Sequence, residues 1–255
     1  MQRMGLSMTE IKKAVKEVLS PFYNKERFKP VFKRTGRLLL VVVSILCIVT
    51  VLEVVVFRFL DSPVAVRVAC SSLYHRVAGK HYKEPLCHWR RLDEISPHLK
   101  RAVLASEDQK FLSHHGFDFA ELNRAFRELL GDERIRGAST ISMQVARTVF
   151  LWSGRSWLRK TLEAYYTVLI ELVWSKERIF EAYLNTVHWG KGLMGAEAAS
   201  WVYFHTSSAT LTASQAALLA AILPNPTKWS PVNPSSYIRE RQQEIMGQMA
   251  DMPVL

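Results

Sequence analysis

An adjacent pair of acids, Glu107 and Asp108, has the chemistry to transfer protons during a reaction. The pair opens the string EDQKFLSHHG, in which an aromatic ring, an imidazole and a glycine follow at Phe111, His114 and Gly116. A carboxylate that faces a cleft can act as a general base or a general acid. A solvated helix end would contain the same two acids, so the pair alone leaves both interpretations open.

A second cluster, RGASTISMQVAR, occupies residues 136–147 and concentrates small residues, hydroxyls, an amide and two guanidinium groups. Backbone and hydroxyl donors flanked by arginine suit the binding of a phosphate or a sugar. An ordinary helix that begins at a serine or threonine cap would also have this composition. The candidate ligand-binding residues of this cluster are Ser139, Thr140, Gln144 and Arg147.

A third cluster, RKTLE, places Arg159 and Lys160 four and three residues before Glu163, so the three side chains share one face of a helix. This arrangement could be an exposed salt bridge, which stabilises a helix by only about 0.2–0.5 kcal/mol. It could also keep the carboxylate ionised and leave positive charge available for a phosphate.

Helices must position these clusters, because apolar residues around them recur at helical spacing. Ser96 and Pro97 predict a helix start before HLKRAVLASE, since serine caps free amides and proline fits the first turn. The C-terminal end of this helix carries Glu107 and Asp108, where the helix dipole disfavours acids, so local stability does not explain the pair. Two further helices are predicted for FAELNRAFRELL and KERIFEAYLNTV.

A longer helix is predicted over residues 156–174, partly buried through an apolar face that comprises Leu158, Leu162, Tyr165, Leu169 and Leu172. Another is predicted over residues 211–223, where Thr212 and Gln215 have the spacing of a capping box. No convincing set of alternating strands and no internal repeat is present in the sequence. The domain is therefore predicted to be all-α or nearly so.

A membrane helix is predicted for residues 38–57, which form twenty consecutive residues with a single charge, Glu53. At about 1.5 Å per residue this segment crosses a bilayer core of about 30 Å. Residues 1–37 contain ten Lys or Arg against three Glu. By the positive-inside rule this arm stays in the cytoplasm, and the rest of the chain lies on the other side of the membrane.

The composition excludes several classes of protein. The 255 residues are 49% hydrophobic, which is too apolar for a disordered tail, and 11 Gly and 10 Pro are too few for a collagen. The net charge of +11 derives largely from residues 1–37, because residues 58–255 hold 24 basic and 19 acidic residues. Nucleic acid is therefore not an expected partner.

The three cysteines leave the redox state of the outer domain open. Cys47 lies in the membrane segment, so Cys70 and Cys87 are the only pair on the outer side. They could form a disulfide in an oxidising compartment or remain two free thiols. No HExxH or CxxC spacing predicts a metal site.

The order and spacing of the clusters resemble the bacterial peptidoglycan glycosyltransferases, glycosyltransferase family 51. Five of that family's motifs resemble segments of this chain in the same order: EDQKFLSHHG, GASTISMQ, RKTLE, KERIFEAYLN, and GAEAASWVYF with ALLAAILPNP. With one membrane helix, no room for a transpeptidase domain and no S-x-x-K motif, the expectation is a monofunctional member. The fourth motif adds Asn185 to the candidate site.

The resemblance implies a lysozyme-like, two-lobed helical domain behind a single N-terminal membrane helix. The expected organisation is a basic cytoplasmic arm at 1–37, a membrane helix at 38–57, a stalk at 58–95 and the glycosyltransferase domain at 96–255. The implied location is the bacterial inner membrane, crossed once, with the catalytic domain in the periplasm. Implied partners are lipid II, the growing glycan strand and the membrane, with division or elongation proteins as further candidates.

The implied reaction polymerises lipid II by inverting transfer, forms β-1,4 links and releases undecaprenyl pyrophosphate. The resemblance assigns Glu107 as the base for the acceptor's 4-hydroxyl group and Glu163 to the pyrophosphate side of the site, where Mg²⁺ or Mn²⁺ could assist and Glu163 could be a metal ligand. The residues expected to bind substrate are Asp108, Phe111, His114, Gly116, Ser139, Thr140, Gln144, Arg147, Arg159, Lys160 and Asn185.

The chain departs from the family pattern at three places. Met143 precedes Gln144 where the family usually has two glutamines, Arg147-Thr148 stands for Lys-Asn, and Gln215 stands for a glutamate. Two alternatives follow from these residues and the expected fold. A lytic transglycosylase would share the fold and a catalytic glutamate but would not need the RKTLE cluster. A non-catalytic scaffold of the cell-wall machinery would explain Met143. It would not explain why both expected carboxylates, Glu107 and Glu163, are present.

Overall fold

The computed structural model describes residues 8–19, 25–60, 87–130, 139–152, 154, 156–253 and 255. These residues belong to two compact units, Met1–Glu53 and Val54–Leu255. The helices are α1 (Met8–Leu19), α2 (Lys25–Phe59), α3 (Pro97–Glu107), α4 (Phe119–Leu130), α5 (Ile141–Phe150), α6 (Trp157–Val173), α7 (Lys176–Thr186), α8 (Ala196–Phe204), α9 (Ala213–Ile222) and α10 (Ser236–Gln248). Two short antiparallel strands are β1 (His188–Gly190) and β2 (Leu193–Met194). The predicted mostly helical fold class is confirmed.

Helix α2 contains the predicted membrane segment. Its part Gly36–Phe59, 24 residues long, has the length and apolar composition needed to cross a membrane. The prediction of a membrane helix at 38–57 is compatible with this finding. Cys70 and most of the predicted stalk lie outside the described residues, so the disulfide and the domain limits stay predictions.

The caps explain where the helices of the domain begin. The Ser96 hydroxyl accepts a hydrogen bond from the backbone of His98 at 3.2 Å, directly before Pro97 in the first turn of α3. At the start of α9, Thr212 and Gln215 form both bonds of the predicted capping box. These side chains satisfy amides that the first turn of a helix leaves without partners.

The prediction that α6 is partly buried is confirmed. Leu162, Tyr165 and Leu169 pack against the core, whereas Leu158 is 64% and Leu172 78% exposed. The buried side of α6 is largely polar and consists of Arg159, Glu163, Tyr166, Thr167 and Ile170. Helical periodicity identifies an apolar face but does not reveal whether protein or another apolar medium covers it.

The helices of the domain pack in two sets. One set contains α3, α9 and α10, and the other contains α5, α6 and α7. The core between the elements includes fully buried side chains such as Trp189, Tyr183, Phe180 and Leu99. Asp108 caps the end of α3, and residues 108–116 bring the chain from α3 to a contact with α5.

A buried carboxylate in α8, Glu197, ties three segments together. It accepts hydrogen bonds from the backbone and hydroxyl of Ser208, from Arg90 at 3.1 Å and from Trp201 at 2.8 Å. Burial opposes ionisation of Glu197, but these hydrogen bonds outweigh it and lower its pKa to about 2. The ionised form therefore stabilises the fold.

We predict that Glu197→Gln lowers the free energy of unfolding by about 2 kcal/mol at pH 7. The pKa of Glu197 is lower in the folded chain than its ordinary 4.5. Its contribution to the free energy of unfolding is therefore complete above pH 4.5 and is lost as the pH falls toward 2. Thermal unfolding of the full chain in detergent, followed by circular dichroism between pH 2 and 7, measures both effects. Asp93→Asn, in an exposed pair with Arg91, is the control. Equal stability of native and Glu197→Gln proteins at pH 7 would contradict the prediction.

Candidate active site

Glu107 is the last residue of α3, and its side chain is half-buried. The side-chain amide of Gln144 donates a hydrogen bond to Oε2 of Glu107 at 2.8 Å. Gln144 lies in the first turns of α5, whose start is capped by the hydroxyl of Thr140. The first two clusters of the sequence therefore meet at the Glu107 carboxylate.

The surroundings of Glu107 adjust its acidity in two directions. Burial raises the pKa of its carboxyl above the ordinary value, while the hydrogen bond from Gln144 and the positive charge of Arg241 act against this increase. The hydroxyl of Tyr183 also lies near the carboxyl and lowers its pKa to a smaller extent. That hydroxyl is buried and has no well-aligned hydrogen-bond partner. A half-buried carboxyl with a raised pKa is suited to proton transfer.

Asp108, the neighbour of Glu107, belongs to a second hydrogen-bond network. Both of its carboxylate oxygens lie 3.0 Å from Nε2 of His114, and Nδ1 of His114 accepts the backbone N–H of Gly116 at 3.2 Å. Because Nδ1 accepts a hydrogen bond, the ring proton is on Nε2. The Nε2–H group donates a hydrogen bond to the carboxylate of Asp108. Oδ2 of Asp108 also accepts the backbone N–H of Ile141 at 3.0 Å. The network fixes the tautomer of His114 and links the acid pair to the start of α5.

Gly116 allows the chain to pass close to α6. Its φ is +90°, and an added Cβ would lie 2.8 Å from Cγ2 of Thr167. Its carbonyl accepts the Thr140 hydroxyl at 2.6 Å. The hydroxyl of Thr167 donates to the carbonyl of Glu163 at 2.6 Å. Gly116 and the buried Thr140 therefore join the first two clusters, and Thr167 lies between Gly116 and Glu163. Contact of Gly116 and Thr140 with substrate stays a prediction.

The third cluster is a buried acid that holds two cations. Glu163, 1% exposed, accepts from Nη1 of Arg159 at 2.8 Å and from Nζ of Lys160 at 2.6 Å. Arg159 is buried, whereas the Lys160 side chain is 46% exposed. The group is therefore more than an exposed salt bridge, because the buried carboxylate fixes both cations in place.

The geometry of Glu163 does not fit the expected role of a metal ligand. Each of its carboxylate oxygens is already engaged by a cationic side chain. Among the described ranges, no group of three or more His, Cys, Asp or Glu side chains could hold a metal ion. Assistance by Mg²⁺ or Mn²⁺ stays a prediction.

Two residues expected to bind substrate have supporting roles. Phe111 is buried and packs against Phe180 with ring centroids 5.7 Å apart. Asn185 is fully buried, and its amide bonds to both backbone groups of Arg90 and to the carbonyl of Glu181 at 2.8 Å. Neither side chain has polar or accessible surface left for a sugar.

One side of helix α5 faces the core, and another side faces Glu107. Met143 is buried, so the departure from the family's glutamine pair places an apolar side chain in the protein interior. Gln144 and Arg147 are half-buried and lie one turn apart on the side of Glu107. Ser139, half-buried, precedes the cap residue. Gln144 thus supplies the contact to Glu107 without its usual neighbour.

Sequence reasoning missed two residues near Glu107, Tyr183 and Arg241. Tyr183 lies in the motif KERIFEAYLN, so its place in a family motif was a usable signal. Arg241 belongs to α10, a helix that matches no motif, so only the fold brings its charge near the acid.

The domain is mostly helical and places the half-buried Glu107 at the end of α3, which is consistent with the expected lysozyme-like helical domain. Residues 75–250 match the family model described as Transglycosylase, and the chain belongs to this family. The resemblance read from the five motifs is confirmed, and the protein is a transglycosylase enzyme.

Three curated proteins illustrate the similarity. The biosynthetic peptidoglycan transglycosylase of Bacteroides thetaiotaomicron is 46% identical over 205 residues, 80% of this chain and 82% of the relative. That of Chromohalobacter salexigens is 54% identical over 164 residues, 64% and 70% of the two chains. That of Caulobacter vibrioides is 45% identical over 208 residues, 82% and 88% of the two chains.

We predict that Gln144→Leu raises the pKa of Glu107, because the variant loses a hydrogen bond that favours the ionised carboxylate. A base must be ionised to accept a proton, so the acidic limb of the pH–rate profile moves to higher pH. Turnover on the acidic side falls about 10-fold, the equivalent of about 1.4 kcal/mol. Initial rates of glycosyl transfer across the pH range measure the shift.

Gln242→Leu is the matched control, since Gln242 bonds to Ser214 between two helices. If the acidic limb of the pH–rate profile lies at the same pH in the native protein and in Gln144→Leu, Gln144 does not lower the pKa of Glu107.

Proposed function

We propose that the protein polymerises lipid II into peptidoglycan strands, forming β-1,4 links and releasing undecaprenyl pyrophosphate. The observation that carries the proposal is the half-buried Glu107 carboxylate, which has a raised pKa and a fixed hydrogen bond from Gln144. The similarity to biosynthetic peptidoglycan transglycosylases supports the choice of a peptidoglycan precursor as substrate.

Glu107 acts as the general base in this reaction. It removes the proton of the acceptor sugar's 4-hydroxyl group, and the resulting oxygen attacks the anomeric carbon of the donor. As the new C–O bond forms, the bond to the lipid pyrophosphate breaks, and its electron pair leaves with the pyrophosphate oxygen. The proton remains on Glu107 until solvent removes it. Attack opposite the leaving group inverts an α-linked donor into a β link.

Cationic side chains stabilise the charge that develops on the departing pyrophosphate. Lys160, whose side chain is nearly half-exposed, and Arg147, on the side of α5 that faces Glu107, are the candidates for this contact. Glu163 does not contact the pyrophosphate in this scheme, because both of its oxygens bind Arg159 and Lys160. It positions those two cations instead, which differs from a direct role at the leaving group.

The last turns of α2 contact the helices that carry the site. The indole N–H of Trp174 donates to the carbonyl of Val54 at 2.8 Å, and Arg178 donates to the carbonyls of Phe57, at 3.0 Å, and Leu60. These bonds hold the last turns of an apolar helix against the helices that carry the site. A lipid-linked substrate in the same membrane therefore meets the site at a high effective concentration.

The proposal predicts that the full chain in detergent converts labelled lipid II into polymer, and that Glu107→Gln lowers the rate by about 100-fold or more. Glutamine keeps the size of the side chain and removes the base. Gel separation measures the polymer, a β-1,4-specific muramidase tests the linkage, and mass spectrometry detects undecaprenyl pyrophosphate.

The exposed variant Asp93→Asn serves as the control and is expected to match the native rate. A folded native protein that makes no polymer contradicts the proposed reaction. Native rates in Glu107→Gln contradict the role of Glu107. Fragments released from existing glycan would favour the lytic alternative.

The arm at 1–37 lies in the cytoplasm, and the domain that carries Glu107 lies outside the inner membrane, because the arm has ten basic and only three acidic residues. Epitope tags at the two ends of the chain test this orientation in spheroplasts treated with protease. The C-terminal tag is expected to be cleaved and the N-terminal tag protected, with lysed cells as the control. The reverse pattern would refute the orientation.

A further inference from the structure

A second buried carboxylate, Glu171, lies in α6 outside the groups that carry the proposed reaction. The Glu171 side chain is 7% exposed and accepts a hydrogen bond of 2.8 Å from Nζ of Lys176. The Lys176 side chain is 17% exposed. Two charges placed in the interior lose their hydration, and a well-packed apolar pair would often be as stable. Stability alone therefore does not explain why this pair is buried.

Glu171 contacts both segments that meet at the acid pair. Its Oε1 accepts a hydrogen bond from the hydroxyl of Ser142 in the first turn of α5. Its Cγ lies 3.1 Å from the place where a Cβ of Gly116 would be, so its side chain lies against the end of the first motif. One side chain of α6 thus borders the start of α5 and the end of the first motif.

Lys176 contacts the same motif from the other side. Its Nζ lies 4.5 Å from the ring centroid of Phe111, a cation–π contact that is strong when it is shielded from water. The Phe111 ring in turn packs edge-on against His114, with centroids 6.3 Å apart. The ammonium group of Lys176 therefore connects Glu171 to the Phe111 ring, which contacts the His114 ring.

We infer that Glu171 and Lys176 form a positioning pair, which holds the first motif against the start of α5 and so keeps His114, Asp108 and Glu107 in register with Gln144. The pair does not touch the reacting atoms. It acts through Phe111 and Gly116 on the His114 tautomer, and through Ser142 on the helix that carries Gln144. The kinetic part of this inference rests on the proposed function, whereas the structural part does not.

Three variants of the full chain in detergent test the pair. Lys176→Met removes the charge but keeps an apolar chain over Phe111, Lys176→Arg keeps the charge, and Glu171→Gln keeps the shape and an acceptor for Ser142. The control is again Asp93→Asn, which removes an exposed ion pair.

The first readout is ¹⁵N NMR of histidine side chains, with the His114 signal assigned from a His114→Asn sample. The native protein is expected to show His114 fixed with its proton on Nε2. Lys176→Met is expected to average the two tautomers, and Lys176→Arg to restore the native signal. A purely structural role would lower the folded fraction without changing the tautomer of the folded protein.

The second readout is polymerisation of lipid II. Lys176→Met is expected to lower kcat about 10- to 100-fold with little change in KM, because misplacing a reacting group weakens the transition state and not substrate binding. Lys176→Arg and the control are expected to stay within about 3-fold of the native rate.

Native tautomer and native kcat in Lys176→Met would overturn the inference. If Lys176→Met does not fold, Glu171→Gln tests the inference in its place. The inference then requires averaged His114 tautomers and a reduced kcat in Glu171→Gln, and native values of both would overturn it. If the native protein makes no polymer, the proposed function fails while the NMR result still decides whether the pair positions His114.

Discussion

Burial of the Glu107 carboxyl group raises its pKa, and much of the domain is arranged around that one condition. A carboxyl removed from water is useful as a base only if enough donors surround it to keep the ionised form accessible. Gln144, Tyr183 and Arg241 provide these groups from three different helices. The fold must therefore bring α5, α7 and α10 to the end of α3 before the acid can take part in proton transfer.

The polar interior of α6 follows from the same requirement. This helix buries Arg159, Glu163 and Thr167 and also carries Glu171, so its inner side supports the site. Trp174, which ends α6, donates a hydrogen bond to the carbonyl of Val54, and Arg178 of α7 donates to that of Phe57. The same stretch of chain therefore supports the site and contacts the last turns of α2.

Much of this arrangement could be predicted from local sequence. Ser96 and Pro97 identify the start of α3, the capping box identifies α9, and five motifs identify the family. The polar buried side of α6 could not be predicted, because helical periodicity identifies an apolar face without revealing which side chains tertiary packing covers. The supporting roles of Phe111 and Asn185 were also hidden, since a motif marks a residue as required without revealing whether it touches substrate. Arg241 approaches Glu107 only through tertiary packing.

The central claim is that Glu107 is the base whose ionisation limits the reaction. The most direct test compares two values measured on the same protein in detergent. Carbon-13 NMR of labelled glutamate side chains, with Glu107→Gln identifying the signal, gives the pKa of Glu107. The pH dependence of kcat for lipid II polymerisation gives the pKa of the essential base. The two pKa values are expected to agree and to lie above the ordinary 4.5 of a glutamate. A Glu107 carboxyl that titrates at its ordinary value, or apart from the kinetic limb, would contradict the claim.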